Sequence, residues 1–319
     1  MAEEPVSRET GTEWASVAER GSLFAIRLIV GLVRTVGTRS LGWLLAPIAF
    51  YFSLFASSAR TASTDYLRRI RRSKGDDSEP GFLDSYRHIH AFSTNLLDSL
   101  ALWSSAMDDF DVEIHGREHM MPLIEAKTGA MLVGAHLGNF DVLRVLAREA
   151  DIPVNVLMYS VNAEQINRAF EALDPNSKVR IISLGSQSVN TSLEIRRCID
   201  RGEFVAVLAD RLNPTARERV GYATFLGEPA AFPKGPLLLA SLLRIPVIMT
   251  VALRRGPGQY DLHLHTLADG SPVPPSERPK VIQQQLEDYA RLLEKYCLEA
   301  PLQWFNFYDF WAKAENDRS

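Results

Sequence analysis

Cysteine is scarce in this chain, with Cys198 and Cys297 its only two and far apart. Two distant cysteines make no disulfide framework, so we expect a reducing compartment. Neither is flanked by a nucleophile signature, so no thiol-based catalysis is predicted. The opening Met-Ala-Glu-Glu-Pro lacks the positive n-region of a secretory signal, and none is expected. Internal repeats and low-complexity tracts are also missing, which excludes a repeat array.

Acidic residues are almost missing between residues 20 and 74, where Asp65 stands among ten arginines and lysines. That segment carries a net +9, and because the chain total is −4, the remainder carries −13. A basic, apolar segment ahead of an acidic body favours an anionic membrane surface over nucleic acid as the partner.

Charge is absent from residues 40–59, a run long enough to span a bilayer. Pro47 lies near its middle and predicts a kink. The run is either a single spanning anchor, a helical pair lying in one leaflet, or a helical flap over a soluble core. We favour membrane attachment, and the basic run 68–74 then predicts a cytoplasmic body. The predicted organisation is a membrane-anchoring region 1–75 and a single domain 76–319.

The remaining chain alternates strand-like and helix-like patterns, and its 46% hydrophobic content is enough for one large core. Such alternation predicts an α/β sheet with helices on its faces. Strands are predicted at 111–115, 131–135, 153–158, 179–183, 204–209, 246–253 and 260–265. Helices are predicted at 82–107, 118–127, 140–150, 163–173, 188–200 and 237–243.

A histidine followed five residues later by an aspartate is the feature most suggestive of chemistry. The apolar run 131–135 ends at His136, a turn-prone Leu-Gly-Asn follows, and Asp141 begins a helical pattern. Ligands bind at the carboxyl ends of strands in open α/β sheets. A carboxylate there can hold one imidazole nitrogen and leave the other as a general base. A strand-ending histidine beside an ordinary helix-start aspartate is the alternative.

Two further stretches carry candidate binding residues. Asp210 and Arg211 follow the predicted strand 204–209, again at a carboxyl end. Residues 221–236 are rich in glycine and proline and predict a shaped loop before the helix 237–243. Backbone N–H groups at such a helix start can hold an oxyanion or phosphate, although an ordinary connection fits equally well.

His263 and His265 alternate along a predicted strand and therefore face the same side. Their spacing suits two metal-binding imidazoles, but no third ligand lies nearby in sequence. We therefore favour a solvated sheet face. The remaining histidines considered, His88, His90, His115 and His119, show no ligand spacing.

Taken together, these residues resemble the bacterial lipid A late acyltransferase family, the lauroyl and myristoyl transferases within the lysophospholipid-acyltransferase-like group. The likeness covers most of the chain in four ordered blocks. These are the motif 136–141 after a basic apolar N-terminus, Asp210 at a strand end, the Phe-Leu-Gly to Gly-Pro block 225–236, and the Pro-Leu-Gln-Trp segment 301–304.

The resemblance implies a mixed sheet flanked by helices, as in glycerolipid acyltransferases, with an N-terminal apolar helical membrane anchor. His136 would deprotonate an acceptor hydroxyl, and Asp141 would orient His136. The hydroxyl would attack the thioester of acyl carrier protein or acyl-CoA without a covalent acyl-enzyme. Neither a metal nor another cofactor is expected. The residues expected to contact substrate are Gly138, Asn139, Asp210, Arg211, Gly227, Pro233, Lys234 and Gly235.

The partners implied by the resemblance are an acyl carrier protein or acyl-CoA donor, a lipid or glycolipid acceptor, and the inner membrane at its cytoplasmic face. Arg144, Arg148 and Arg168 are candidate contacts for an acidic carrier. A non-catalytic acyl-lipid or carrier-binding membrane protein and a thioester hydrolase are the alternatives.

Two departures from the family bear on the acceptor. Tyr159 is followed by Ser160, where the family usually has an arginine that Arg211 would replace. The segment 305–311 is aromatic and has no positive charge, where lipid A enzymes often carry a His-Arg-Arg-like cluster. We therefore expect an acceptor other than a doubly phosphorylated disaccharide, such as another glycolipid, a phospholipid-like molecule or a polyene pigment lipid.

Overall fold

The computed structural model describes residues 38–103, 109–158, 178–183, 188–212 and 220–312. In these ranges, three helices precede the first strand: α1 (Thr38–Phe55), α2 (Ser57–Ser73) and α3 (Phe82–Trp103). The strands are β1 (Asp111–His115), β2 (Met131–Gly134), β3 (Val154–Met158), β4 (Val179–Ser183), β5 (Phe204–Leu208), β6 (Val220–Phe225), β7 (Glu228–Pro233), β8 (Val247–Gly256) and β9 (Gln259–Ala268). The helices between and after them are α4 (Met121–Glu125), α5 (Leu143–Glu149), α6 (Ser188–Asp200), α7 (Gly235–Leu243) and α8 (Arg278–Glu299), with 3₁₀ turns at Arg117–His119 and Phe140–Val142.

Within the described residues, seven strands form one mixed sheet in the order β1-β9-β8-β2-β5-β3-β4. The strands β8, β2, β5, β3 and β4 run parallel, whereas β9 is antiparallel to β8 and β1 is parallel to β9. The predicted α/β fold with a mixed sheet is therefore confirmed. Because parallel neighbours end at the same edge, the residues after β2 and β5 come together there.

Helices cover both faces of the sheet, which explains why its central strands read as unbroken apolar runs. Alternate residues such as Met131 and Val133 point towards a core shared with α2, α7 and α8. Their neighbours, including Leu132, point towards a second core that contains most of α5. Both β2 and most of β5 are buried on both faces, so the edge where they end is held rigidly.

The apolar run 40–59 forms two helices rather than one. The chain breaks at Ala56, and the axes of the segments before and after it meet at 95°. Pro47 lies inside α1, but the sharp bend is not there. Within the described ranges no single helix is long and apolar enough to cross a membrane, although this bent pair passes the same test when taken together. The membrane anchor stays a prediction.

The boundary predicted at residue 75 also stays a prediction, but α2 contributes directly to the core. Tyr66, Leu67 and Ile70 on one face of α2 are buried in the same cluster as β2 and α8. The opposite face is basic, so α2 is an amphipathic helix packed on the sheet domain.

The predicted strands and helices agree with the structure to within a few residues, except in two places. The shaped loop predicted for 221–236 is wrong, because its residues form the antiparallel hairpin β6–β7 and the start of α7. The predicted helix 163–173 lies outside the described residues.

Candidate active site

The sheet register brings His136 and Asp210 side by side. Gly134 on β2 is paired with Leu208 on β5, and each candidate residue lies two positions beyond its strand. The backbone N–H of Ala209 donates to the Gly134 carbonyl at 3.0 Å, so the pairing continues beyond the strand ends. The two side chains are therefore neighbours because two parallel strands end together.

Two groups of His136, its ring Nδ1 and its backbone N–H, contact the Asp210 carboxylate. The ring Nδ1 lies 2.7 Å from Oδ1, and the backbone N–H donates to Oδ2 at 2.9 Å. The side chain of His136 is 27% exposed, whereas that of Asp210 is fully buried. Since an ionised carboxylate only accepts hydrogen bonds, Nδ1 carries the proton, and in the neutral ring Nε2 holds the basic lone pair.

Two more donors hold the Asp210 carboxylate in place. The indole Nε1 of Trp304 donates to Oδ2 at 3.0 Å, and the amide of Asn306 donates to it at 3.1 Å. Burial alone would raise the pKa of Asp210. The charges of His136 and Arg211 and the hydrogen bonds from His136 outweigh burial, and the pKa lies below its ordinary value. Asp210 is thus a buried anion beneath the imidazole.

The Asp210 carboxylate is fully buried against His136, and its predicted contact with substrate stays a prediction. It is shielded from solvent by the residues that bind it. Its position matches that of the aspartate in a Ser-His-Asp triad, which fixes the imidazole tautomer and stabilises the imidazolium.

Asp141 occupies a different place from the one predicted. Its Oδ1 accepts from the indole of Trp103 at 2.7 Å and lies 3.6 Å from Nε of Arg144. Among the described residues, no hydrogen bond or ion pair joins it to His136, so the predicted ring contact is wrong. The reason is local. The side chain of Asn139 accepts a hydrogen bond from the N–H of Asp141 and so caps the 3₁₀ turn to which Asp141 belongs. A catalytic role for Asp141 stays a prediction.

Gly138 and Asn139 are buried parts of the turn, and their predicted contact with substrate stays a prediction. Gly138 has φ +66°, bridges Ala252 on β8, and donates its N–H to the Gln303 carbonyl at 2.8 Å. The Asn139 side chain accepts from Ser99 at 3.1 Å. These contacts hold the turn rigid behind His136.

We expect Gly138→Ala to destabilise the protein strongly. A Cβ there would stand 1.9 Å from the carbonyl oxygen of Ala252, and the backbone would keep its left-handed φ. The strain alone costs about 1 kcal/mol, and displacement of backbone in a packed core adds about 1–3 kcal/mol. Urea unfolding would measure the loss.

Gly227→Ala is the matched control for this substitution. Gly227 also has a positive φ, +81°, but nothing lies within 4 Å of its would-be Cβ. It should cost only the strain of about 1 kcal/mol. Equal losses in the two variants would contradict the close approach at Gly138.

Arg211 joins the site to residues 305–308, part of the segment that the sequence showed to be aromatic. Its guanidinium donates from Nη2 to the Phe305 carbonyl at 2.7 Å, from Nε to Asn306, and lies 5.8 Å from the ring centre of Tyr308. The N–H of Phe305 in turn donates to the His136 carbonyl at 2.7 Å. Arg211 itself is exposed, so it remains a candidate contact for substrate.

The remaining predicted substrate contacts lie on the hairpin and the start of α7. Gly227 is at the exposed hairpin turn, and the stem of Lys234 covers Gly221. Among the described residues, no hydrogen bond or ion pair connects Gly227, Pro233, Lys234 or Gly235 to His136. The hairpin is instead linked to the site through Phe225, whose ring centre lies 5.2 Å from that of Trp304.

The three arginines predicted to contact an acidic carrier protein lie in different environments. Arg144 is buried beside Asp141 and is not available to a carrier protein, which corrects that prediction. Arg148 is exposed on α5, and Arg168 lies outside the described residues.

Three residues of the site were not predicted: Trp304, Asn306 and His88. His88 is fully buried, with Nε2 at 2.9 Å from the Trp304 carbonyl and Nδ1 at 2.9 Å from Ser63. Burial lowers its pKa to about 4, so it is neutral and supports Trp304 from behind. The Pro-Leu-Gln-Trp block was a signal for Trp304, but nothing in the sequence pairs it with Asp210.

The model of the bacterial lipid A biosynthesis acyltransferase family matches residues 85–313. The chain belongs to this family. No curated protein sequence matches the chain. Membership implies an acyltransferase, which takes an acyl donor and a lipid acceptor. The match includes His136, Asp210 and the aromatic segment after residue 304, whereas α1 and α2 precede it.

Proposed function

We propose that this family member is a membrane-associated O-acyltransferase that moves a fatty acyl group from acyl carrier protein or acyl-CoA to a hydroxyl of a lipid or glycolipid. His136 is its general base. The observation that carries the proposal is the state of the imidazole. Buried Asp210 holds Nδ1, while Nε2 of the partly exposed ring forms no hydrogen bond with any described residue.

The reaction follows from this arrangement. Nε2 takes the proton of the acceptor hydroxyl as its oxygen attacks the thioester carbonyl. The tetrahedral intermediate collapses, the C–S bond breaks, and the thiolate receives the proton from the imidazolium. The Asp210 carboxylate stabilises the imidazolium between these steps. Direct transfer is supported by the burial of Cys198 and Cys297, the only cysteines of the chain, which leaves no thiol to form an acyl-enzyme.

A polar cleft beside the site supports a lipid acceptor with a hydrated headgroup. The cleft has a volume of about 960 Å³ and lies between α2, the start of α3 and residues 307–309. Its lining includes Ser57, Thr61, Thr64, Ser85 and Arg60. Tyr308 forms part of its wall and also reaches the Asp210 carbonyl with its hydroxyl at 3.5 Å. The lining also includes the aromatic rings of Phe82, Phe307 and Tyr308. Hydroxyls, charged groups and aromatic rings together suit a sugar or polyol better than a bare hydrocarbon.

The surface of α1 supports attachment to the cytoplasmic face of the bacterial inner membrane. Trp43 and Phe55 are 71% and 70% exposed, and several aromatic and aliphatic neighbours between them are exposed as well. An apolar patch of this extent marks an interaction surface. On the adjoining α2, Arg68, Arg69 and Arg71 are paired with carboxylates of the chain, whereas Arg72 is exposed and can meet the anionic headgroups of that leaflet.

A transfer assay with product analysis tests the proposal. The full chain in detergent is incubated with a labelled acyl thioester, carried either by CoA or by acyl carrier protein, and with a total bacterial lipid extract. We expect a new ester-linked lipid, seen by mass spectrometry, with one free thiol released per ester formed. Labelled free fatty acid without an ester would establish the hydrolase instead. A bound acyl chain with no released thiol would establish a binding protein.

A further inference from the structure

A second cluster of reactive side chains lies at the edge of the sheet, on β1 and β9. In the parallel register of these strands, His115 is opposite His263 and Glu113 is opposite Asp261. Asp261 and His263 are two residues apart on β9, so both project from the same face. Of the two histidines paired by sequence spacing, His263 belongs to this cluster, and β1 supplies the further members His115 and Glu113.

The possible ligand atoms of His115, Asp261 and His263 already lie close to one another. Nε2 of His115 lies 3.0 Å from Oδ1 of Asp261, and the rings of His115 and His263 stack with centres 4.8 Å apart. One possible ligand atom from each of His115, Asp261 and His263 lies within 4.8 Å of the others. Ligands of one tetrahedral zinc ion at about 2.0–2.2 Å stand roughly 3.4 Å apart, so small side-chain rotations would close the set.

His263 supplies the independent reason to expect a ligand. Its Nε2 is buried and has no hydrogen-bond partner within the described part of the chain. Buried polar atoms almost always have a partner, and a bound ion or water accounts for many of the exceptions.

We propose that His115, Asp261 and His263 bind one divalent transition-metal ion, with Zn²⁺ the best match to two imidazoles and a carboxylate. Glu113, whose Oε1 lies 3.8 Å from Nε2 of His115, or a water completes the coordination. His265 is not counted, because it lies outside the group of ligand atoms within 4.8 Å and its Nε2 bonds to the hydroxyl of Tyr296 at 2.6 Å. The ligand types exclude Mg²⁺ and Ca²⁺, which prefer oxygen.

Charged side chains surround this cluster and hold its carboxylates in place. Arg255 lies 3.1 Å from Oδ1 of Asp261 and 3.1 Å from Oε2 of Glu113, so it holds both carboxylates. A carboxylate has lone pairs for both a guanidinium and a metal. Lys295 adds a further positive charge near His263 and limits the affinity. The ion would join the edge strand β1 to β9, and it takes no part in the chemistry at His136.

Metal binding by the purified full chain tests the proposal. After treatment with a chelator, wild type is titrated with Zn²⁺, and bound metal is counted by elemental mass spectrometry while thermal unfolding is followed. We expect one tightly held Zn²⁺ per chain and a higher unfolding temperature, because an ion that binds the folded state stabilises it. Co²⁺ should give visible absorption without a sulfur-to-metal band.

His263→Ala and His115→Gln should weaken Zn²⁺ binding by roughly 100-fold or more, since each removes a ligand. Loss of a residue that only hydrogen-bonds to a ligand already lowers metal affinity by about 10–100-fold. His119→Ala, on the neighbouring 3₁₀ turn, and His136→Ala should bind as wild type does. The unfolding temperature of each variant in chelator shows whether it folds. Absence of stoichiometric zinc in wild type, or its retention in both ligand variants, would overturn the proposal.

Discussion

His136→Ala is expected to lower acyl transfer by about 10²–10⁴-fold, the contribution of a positioned general base. Nε2 of His136 is the basic atom directed away from the buried Asp210. Alanine has no group that can take the proton of the acceptor hydroxyl. The rate would be measured as thiol release together with ester formation, at saturating thioester.

The fold of the His136→Ala variant is expected to survive. His136 is partly exposed, and its backbone N–H, which alanine retains, still donates to Asp210. The lost ring contact leaves Oδ1 of Asp210 without its donor and costs about 1–3 kcal/mol. His119→Ala is the control, because that histidine is distant in the fold from His136 and its side-chain hydrogen bond among the described contacts is to Thr266. A variant that is folded and transfers at the wild-type rate would remove His136 from the mechanism.

Much of the sheet follows from local sequence patterns, but its strand order does not. Runs such as 131–134 and 204–208 are apolar and bounded by turn residues, so each can be recognised alone. Nothing in either run says that β2 lies between β5 and β8. That order depends on non-local pairing, which is chosen by the packing of both faces.

The hairpin was missed for a different reason. Its turn places Leu226 and Gly227 both at positive φ, and leucine is rarely found there. Leucine at that position gives no signal for a hairpin turn, and the glycines and prolines of 221–236 were therefore interpreted as an irregular loop. Burial alternates along β6, with Gly221, Ala223 and Phe225 inward, so the period of a strand was present in the sequence.

The candidate site shows the same division between local and non-local information. His136 was predicted from its own strand and turn, and the structure places it at the expected sheet edge. Asp141 was predicted to be the partner of His136, because residues that are five apart across a turn can come into contact. The structure instead brings Asp210 to the ring, since the register of β2 with β5 sets two strand ends in line.

Asp210→Asn is expected to lower acyl transfer almost as much as His136→Ala does. The asparagine amide can donate to Nδ1, which favours the tautomer with the proton on Nε2, so the base loses its lone pair towards the acceptor. In the Ser-His-Asp enzymes this change costs about 10⁴-fold in kcat while the geometry is kept. The hydrogen bonds from Trp304, Asn306 and the His136 backbone converge on Oδ2, and an amide oxygen placed there still accepts them.

Asp141→Asn is the matched control for Asp210→Asn, because it is the same chemical change in the other carboxylate near His136. Asp141 contacts Trp103 rather than the imidazole, so its loss should disturb the turn without changing the tautomer. We expect kcat to fall at least about tenfold further in Asp210→Asn than in Asp141→Asn, a difference of about 1.4 kcal/mol in transition-state stabilisation. Thermal unfolding of both variants separates a damaged fold from a damaged base. If Asp141→Asn loses more activity than Asp210→Asn while both remain folded, the carboxylate that supports the chemistry is Asp141. The buried Asp210 would then serve only to hold the strand ends together.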